Sequence, residues 1–306
     1  MMIMAHFIKP YCSVCLLDMA LSYFQASTSD HATITAGMKK IINMMKQDLN
    51  GDAYTFLIGN KIAREVCALL GKEDLFEAVK RRSNEVCESM FPSLLDRYKS
   101  ITDFDEKMDF VLCAIVAGNV IDVSTPGHDF KLESAELFKI IEEIHDRGFA
   151  INDRKKLKTL VLDPRVKKFL LVLDNAGEIV FDKLLVMFLK EHGKNVTCMV
   201  KGKPISNDAT KADLRDTGMD KLCDGILETS IASVGYVIPD NEKNVVDTVN
   251  GMDVVIGKGQ ANLETLCVYL DEIKAKHVFI VSRIKCPTVA EFQGVKKGQQ
   301  IVRQIK

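Results

Sequence analysis

The stretch FLLVLDNAGEIVFD, residues 169–182, decides the fold class of this 306-residue chain. It begins with five apolar residues in a row, as does a strand that is buried on both faces of a parallel sheet. Three similar runs follow along the chain: VTCMV at 196–200, DVVIG at 253–257 and HVFIVS at 277–282. Stretches with helical spacing lie between the runs, and the first of them carries Phe181, Leu184, Leu185 and Phe188. This alternation predicts an α/β domain with a mainly parallel sheet over residues 151–306.

The first 150 residues contain no comparable strand. Helices are expected at 75–90, ending before Pro92, and at 104–116. The second of these opens with Thr102, followed three residues on by Asp105, a spacing like that of a capping box. Apolar residues at 137, 140, 141 and 144 share one helix face. The pattern predicts five or six helices packed as a bundle, so the fold class is an N-terminal helical bundle domain, 1–150, followed by the α/β domain.

Charge and composition exclude several classes of protein. The chain has 41 basic and 42 acidic residues, whereas nucleic-acid binding usually needs a basic excess. Its densest basic stretch, Arg154 to Lys158, follows Gly148, where a helix should end, and we interpret this stretch as a solvated linker. The longest apolar run, 110–118, is about half of a membrane span. The sequence therefore predicts a protein with no nucleic-acid or membrane partner.

The cysteines and the first residues indicate the compartment. Nine cysteines are scattered without framework spacing, apart from the CxxC of Cys12 and Cys15. An odd, irregular set of this kind is typical of reduced thiols. The opening MMIMAHFIKP lacks the basic start and cleavage site of a signal peptide. We expect a cytoplasmic protein.

Polar residues follow each predicted strand, and the carboxyl ends of parallel strands form the usual ligand site of an open α/β sheet. Asp174 and Asn175 follow the first strand, and Asp208 follows the second. These oxygen donors suit a hard divalent cation, and no histidine lies among them for zinc. Lys258 and Lys285, at the third and fourth exits, offer donors to a phosphate, as do the Gly177 turn and the following helix N-terminus. Such a set indicates metal-assisted phosphoryl transfer to water.

Simpler interpretations stay open for each residue. Asp208 could only cap the helix that follows it. Asn175 and Gly177 could serve only the strand-to-helix turn, where both residue types tolerate positive φ. Lys285 alone could be a surface lysine. Their placement at successive strand exits favours the functional interpretation.

The exit motifs together resemble one family, the damage-control phosphatases, which are metal-dependent enzymes long classified as domain of unknown function 89. The resemblance rests on LVLDNAGEIVFD (171–182), KGKPISNDAT (201–210), GKGQANLETL (257–266) and RIKCP (283–287). In the first half YCSVCLLDMA (11–20), AVKRRSNEVC (78–87) and AIVAGNVID (114–122) resemble the prokaryotic-type branch with CxxC. The resemblance implies a helical domain joined to a Rossmann-like α/β domain. It also implies hydrolysis of small phosphorylated metabolites, either sugar phosphates or cofactor precursors, with Mn, Mg, Co or Ni.

The resemblance also implies residue roles. Asp174, Asn175 and Asp208 would be the metal ligands, and Lys285 would contact the substrate phosphate. Whether Asp174 attacks phosphorus or only holds the metal stays open. The catalytic residues would be Asp174, Asp208 and Lys285, and the substrate-binding residues Asn119, Asp122, Gly177, Glu178, Lys258, Gln260 and Asn262. Ala261 departs from the glycine expected in many relatives.

Two rival functions are weighed against the phosphatase. The first is an S-adenosylmethionine-dependent carboxyl methyltransferase, but the first strand ends in DNAGE rather than a glycine-rich adenosine turn. The second is a non-catalytic protein that binds a phosphometabolite.

Cys12 and Cys15, on one helix face, could form a metal or redox pair or could be buried thiols that pack between helices. The sequence does not indicate the oligomeric state.

Overall fold

The computed structural model describes residues 8–49, 53–119 and 134–306. Among these, six helices precede the sheet. They are α1 (Pro10–Gln25), α2 (His31–Asp48), α3 (Thr55–Leu70), α4 (Glu77–Ser100), α5 (Phe104–Gly118) and α6 (Ser134–Arg147). The predicted helical first half is confirmed in these ranges. Gly148 follows α6 with a φ of 64°, so it ends that helix as predicted.

Within the described ranges, seven strands form one sheet in the order β1-β7-β6-β5-β2-β3-β4. They are β1 (Ile151–Asn152), β2 (Lys168–Val172), β3 (Asn195–Val200), β4 (Gly225–Glu228), β5 (Val254–Lys258), β6 (His277–Arg283) and β7 (Gln300–Gln304). Strands β6, β5, β2, β3 and β4 run parallel to one another, whereas β7 is antiparallel to β6. The mainly parallel sheet is confirmed. The four predicted strands are present. The sequence pattern does not predict β1, β4 and β7, because these strands are short or only partly apolar.

Helices alternate with the strands in the second half of the chain. They are α7 (Arg154–Leu162), α8 (Glu178–Glu191), α9 (Lys211–Asp216), α10 (Lys243–Asn250), α11 (Gly259–Val268) and α12 (Pro287–Gln293). The linker predicted at the basic stretch is wrong, because these residues lie in α7. Leu157 and Val161 bury one face of α7, and Lys158 pairs with Asp105 at 2.5 Å. Tertiary contacts thus order a segment whose charge indicated a loop.

The helix expected to stop before Pro92 continues to Ser100. Proline in a helix interior costs about 3 kcal/mol, because it removes a hydrogen bond and its ring meets the carbonyl one turn earlier. Leu94 and Tyr98 are fully buried beyond it, and each such side chain contributes about 1.5–3 kcal/mol by leaving water. Burial of the second half therefore offsets the proline. The predicted cap of α5 is also one residue too early, because Asp103, not Thr102, accepts the Glu106 N–H.

Side chains of β2 show how both faces of the sheet are covered. Phe169 and Leu171 join a hydrophobic cluster with α4, α5, α6 and α8. Leu170 and Val172 point to the other face and join a cluster with α10, α11 and α12. Helices α1, α2 and α3 form most of a third cluster, which Ile205 also joins. The domain boundary near residue 150 stays a prediction, since α4–α6 share their core with the sheet. No helix in the described ranges is long and apolar enough to cross a membrane.

Candidate active site at the carboxyl edge of the sheet

The site lies where the strand order reverses. The chain passes from β2 to β3 on one side, whereas β5 pairs with the opposite edge of β2. Such a reversal opens a crevice at the carboxyl ends of the two central strands. Asp174 lies just beyond β2, and Lys258 is the last residue of β5. Topology therefore places two of the predicted residues at this crevice.

Asp208 is brought to the same place by the loop after β3. Asn175 and Asp208 form an isolated antiparallel bridge, and the Ala209 N–H donates to the Asp174 carbonyl oxygen at 2.8 Å. Asp174 and Asp208 are buried, whereas Asn175 is half-buried. Asp208 is not the cap of α9, because Thr210 and Asp213 form the capping box there. The structure thus brings together the three residues predicted as metal ligands.

The surroundings of the two aspartates disfavour their negatively charged forms. Burial, with the negative charges of Glu178 and Asp208, raises the pKa of Asp174 well above its usual range. Burial also raises the pKa of Asp208 to about 6, although Lys201, with its Nζ 3.5 Å from Asp208 Oδ2, opposes the shift. Exposed Lys285 lowers the pKa of Asp174, so its positive charge acts on the site from the rim. A cation between the carboxylates would relieve their repulsion.

Two asparagine amides connect Asp174 to Glu178. Asn119 Nδ2 lies 3.1 Å from Asp174 Oδ2 and 2.6 Å from Glu178 Oε2. Asn175 Nδ2 lies 3.1 Å and 3.4 Å from the same two oxygens. Asn119 caps the end of α5, so the helical half contributes directly to the site.

Lys258 lies behind these groups rather than facing a ligand. Its Nζ lies 2.6 Å from Glu178 Oε1, 2.7 Å from Asp182 Oδ1 and 3.3 Å from the Ile115 carbonyl oxygen. Burial disfavours its charged form, but Asp182 and Glu178 raise its pKa above the usual value. Burial raises the pKa of Asp182 to about 7. All three donors of Lys258 are used, so the prediction that it offers one to a phosphate does not fit this geometry.

The donor set suits a hard divalent cation. No three His, Cys, Asp or Glu side chains form a metal-binding group within the described ranges, and the predicted set is instead two carboxylates and an amide. Among the described residues the buried Asn119 Oδ1 has no hydrogen-bond partner, and the buried Asp208 Oδ2 has only the Lys201 ammonium, 3.5 Å away. Unpaired buried oxygens are costly unless a ligand satisfies them. Asp174, Asn175 and Asp208 are therefore the residues that could hold such an ion.

Comparison with known proteins gives the family. The family described as Damage-control phosphatase ARMT1-like domain matches residues 8–301. The chain belongs to this family. A damage-control phosphatase of Archaeoglobus fulgidus is 26% identical, with 98% of this chain and 99% of the relative covered. Damage-control phosphatase PH1575 of Pyrococcus horikoshii is 29% identical, with 96% and 97% covered.

A solved structure shows the same fold. The crystal structure of a DUF89 family protein from Pyrococcus horikoshii is similar, with a TM-score of 0.85 and 27% identity. The similarity covers 98% of this chain and 99% of that one. The predicted membership of the damage-control phosphatase family and the predicted fold class are confirmed.

Not every site residue predicted from the damage-control phosphatase motifs faces the crevice. The Gly177 N–H donates to Asn84 Oδ1 at 2.7 Å, so it serves the turn into α8. Gln260 Oε1 accepts the backbone N–H groups of Lys285 and Cys286 and thereby holds the loop after β6. Asn262 Nδ2 donates to the Lys258 carbonyl oxygen at 2.7 Å. Asp122 lies outside the described residues.

Gly259 is required by close packing at the site. Its φ is 76°, and an added Cβ would lie 1.9 Å from Asp174 Oδ2. No side chain fits between this backbone and the carboxylate. The glycine of the GKGQ motif therefore allows the close approach of this backbone to Asp174.

Sequence reasoning missed the groups that support the ligands in this family member. Lys201, at the end of β3, is 2% exposed and donates to the Gly235 carbonyl oxygen at 2.7 Å. Asn84 Nδ2 donates to Asp213 Oδ1 at 2.9 Å, which joins α4 to α9. A lysine at a strand exit is a signal that could have indicated Lys201, whereas nothing local indicates Asn84.

The CxxC pair is split between core and surface. Cys12 is buried and Cys15 is exposed. The interpretation of both thiols as packing between helices is therefore wrong for Cys15, because the i, i+3 spacing places it at the edge of the buried face of α1. Although Cys15 as a whole is exposed, desolvation of its thiol, with nearby Cys286 and Cys12, raises the pKa of Cys15.

Proposed function

We propose that this chain is a metal-dependent phosphatase that hydrolyses small phosphorylated metabolites in damage control. The observation that carries the proposal is the convergence of Asp174, Asn175 and Asp208 at the strand-order reversal. The names of the relatives from Archaeoglobus fulgidus and Pyrococcus horikoshii support a phosphatase. Nine free cysteines support a cytoplasmic location.

The residues at the site would have separate roles in binding the ion and the substrate. Asp174, Asn175 and Asp208 would hold a divalent ion such as Mn²⁺, Mg²⁺, Co²⁺ or Ni²⁺. When bound, the ion supplies polarisation of a phosphoryl oxygen and neutralises developing charge. Lys285, exposed at the rim and electrostatically linked to Asp174, would contact the substrate phosphate. The burial of both aspartates keeps water away from their charges, which strengthens their attraction for a cation.

The substrate classes we propose are sugar phosphates and cofactor precursors. A carboxyl methyltransferase gains nothing from buried carboxylates and amides that converge at the strand ends. A non-catalytic phosphometabolite-binding protein would use the same lysines and ligands, and turnover alone separates it from the phosphatase.

Released phosphate tests the proposal. The chain is treated with chelator, and sugar phosphates and phosphorylated cofactor precursors are then screened with each of the four ions and with none. Hydrolysis should require the ion. Asp208→Ala should abolish Mn²⁺ binding and turnover together while the protein stays folded, because one like charge is removed from the apo site.

Asp216→Ala is the matched control. Asp216 ends α9, eight positions along the chain, and is exposed, so the substitution should leave both readouts unchanged. Hydrolysis without a divalent ion, or wild-type turnover in Asp208→Ala, contradicts the proposal. Binding of a sugar phosphate without any released phosphate would favour the binding protein.

A further inference from the structure

The side-chain amides of Asn119 and Asn175 are held in one orientation by their surroundings. An amide nitrogen carries two protons, and each of these nitrogens lies within hydrogen-bond distance of both Asp174 Oδ2 and Glu178 Oε2. Both protons of each amide are therefore used on carboxylate oxygens. The two amide carbonyl oxygens are turned away from these carboxylates.

Asn119 Oδ1 is left without a partner in a buried position. Asn119 is 7% exposed, and its Oδ1 makes no hydrogen bond with the residues that the structure describes. A buried amide oxygen without a partner is rare in native proteins, and a bound ion or ligand is one explanation for it. Such an oxygen is the donor type that a hard cation accepts.

Glu178 has donors on both of its oxygens. Lys258 Nζ lies 2.6 Å from Oε1, and the two amide nitrogens face Oε2. Lys258 is in turn 2.7 Å from Asp182 Oδ1, and all three charged side chains are buried. Lys258 thus occupies Glu178 Oε1 and leaves Oε2 to accept from the two amides.

We propose that Glu178 is a positioning residue that orients the amides of Asn119 and Asn175, so that their oxygens face the cation. It follows that Asn119 takes part in binding the ion through Oδ1. This inference rests on the proposed metal site. It assigns Glu178 to the support of the ligands instead of to substrate binding.

Glu178→Gln tests the orientation directly. Glutamine has the same shape but presents one acceptor and one donor group. If its oxygen faces Lys258, its NH₂ group faces the NH₂ groups of both asparagines. One or both amides must then turn and present nitrogen to the ion. Mn²⁺ binding, measured by isothermal titration calorimetry on the full chain, should weaken about 10- to 100-fold, as for other groups that support metal ligands.

Asp182→Asn is the matched control. It removes the same formal charge from the same lysine, but Asp182 touches neither amide. Among the residues that the structure describes, its Oδ2 has no hydrogen-bond partner, so an amide NH₂ group in that place removes no acceptor that is in use. Mn²⁺ affinity should stay within about threefold of wild type, outside the effect expected for direct support of a ligand.

A double variant restores the lost complementarity. In Glu178→Gln with Asn119→Asp, the glutamine NH₂ group faces a carboxylate that also offers an oxygen to the ion. It should recover at least about tenfold of the Mn²⁺ affinity lost in Glu178→Gln, a coupling expected of residues in direct contact. It also serves as the test if Glu178→Gln alone does not fold.

The outcomes separate this inference from the proposed function. If wild type binds no Mn²⁺, the proposed metal site fails and this inference fails with it. If wild type binds Mn²⁺ and Glu178→Gln binds it equally well, only the positioning role is overturned. Equal losses in Glu178→Gln and Asp182→Asn would overturn it too, because charge alone would then explain the effect.

Discussion

Replacing Gly259 by alanine should disturb the site more than any other single methyl group. The new Cβ would lie 1.9 Å from Asp174 Oδ2 and 2.3 Å from its Cγ, whereas ordinary contact begins at 3.4 Å. The carboxylate would have to move by about 1.5 Å to restore that contact. The positive φ of 76° adds strain for any residue with a Cβ.

The expected magnitudes follow from these two effects. A left-handed backbone costs about 1–2 kcal/mol for a residue other than glycine, and overpacking costs about 1–3 kcal/mol. The free energy of unfolding of Gly259→Ala, measured by urea titration in chelator, should thus fall by about 2–5 kcal/mol. A carboxylate oxygen displaced that far leaves the range of about 2.0–2.6 Å that Mg²⁺ and Ca²⁺ accept. Mn²⁺ affinity should therefore fall at least about tenfold.

Gly193→Ala separates the effect of backbone strain from the effect of the close contact with Asp174. Gly193 has a similar φ of 69°, but nothing lies within 4 Å of its added Cβ. It should lose only the backbone part, about 1–2 kcal/mol, and keep its Mn²⁺ affinity. If the two variants lose equal stability and Gly259→Ala still binds Mn²⁺ as wild type does, the close approach of β5 to Asp174 does not matter and the reasoning is refuted.

Lys285→Ala should lower kcat/KM about 100-fold, the scale of losing one electrostatic stabiliser, with Mn²⁺ affinity retained; unchanged kinetics would make it a surface lysine. The double variant Cys12→Ser, Cys15→Ser should keep phosphate release within about tenfold and lose modest stability, and complete inactivity in a folded protein would contradict this. Asp208 in the metal-free fold has its pKa raised from 3.8 to about 6, so the folded state holds a proton that the unfolded state has released, and stability falls as pH rises through this window. Asp208→Asn should thus be more stable than wild type above pH 6, by up to about 3 kcal/mol, and urea titrations should show the difference shrinking towards pH 4.

The sheet could be predicted because each central strand carries its own signal. Runs such as 169–173 and 196–200 are apolar on both faces, and both faces of the sheet are covered by helices. The sequence pattern does not predict the edge strand β4, because its residues are only half-buried. The stop expected at Pro92 failed because burial of Leu94 and Tyr98 outweighs a local rule.

The positions of the candidate ligands were predictable for a related reason. Asp174, Asn175 and Asp208 follow apolar runs directly or after a short loop, and parallel strands end at one edge. Lys258 follows the same rule but has a different role. Its side chain donates hydrogen bonds to Glu178 and Asp182, which lie 80 and 76 positions away in sequence. No local sequence pattern indicates such distant partners.

The sequence by itself determined the central strands of the sheet and which donor types reach the crevice, because hydrophobic periodicity and residue chemistry are local properties. Only the tertiary structure decided which way those donors face. The orientation of the Asn119 amide depends on carboxylates 55 and 59 positions along the chain. A hydrogen bond has a donor side and an acceptor side. Its direction is set here by neighbours from other elements, which the packing of α5 against α8 brings together.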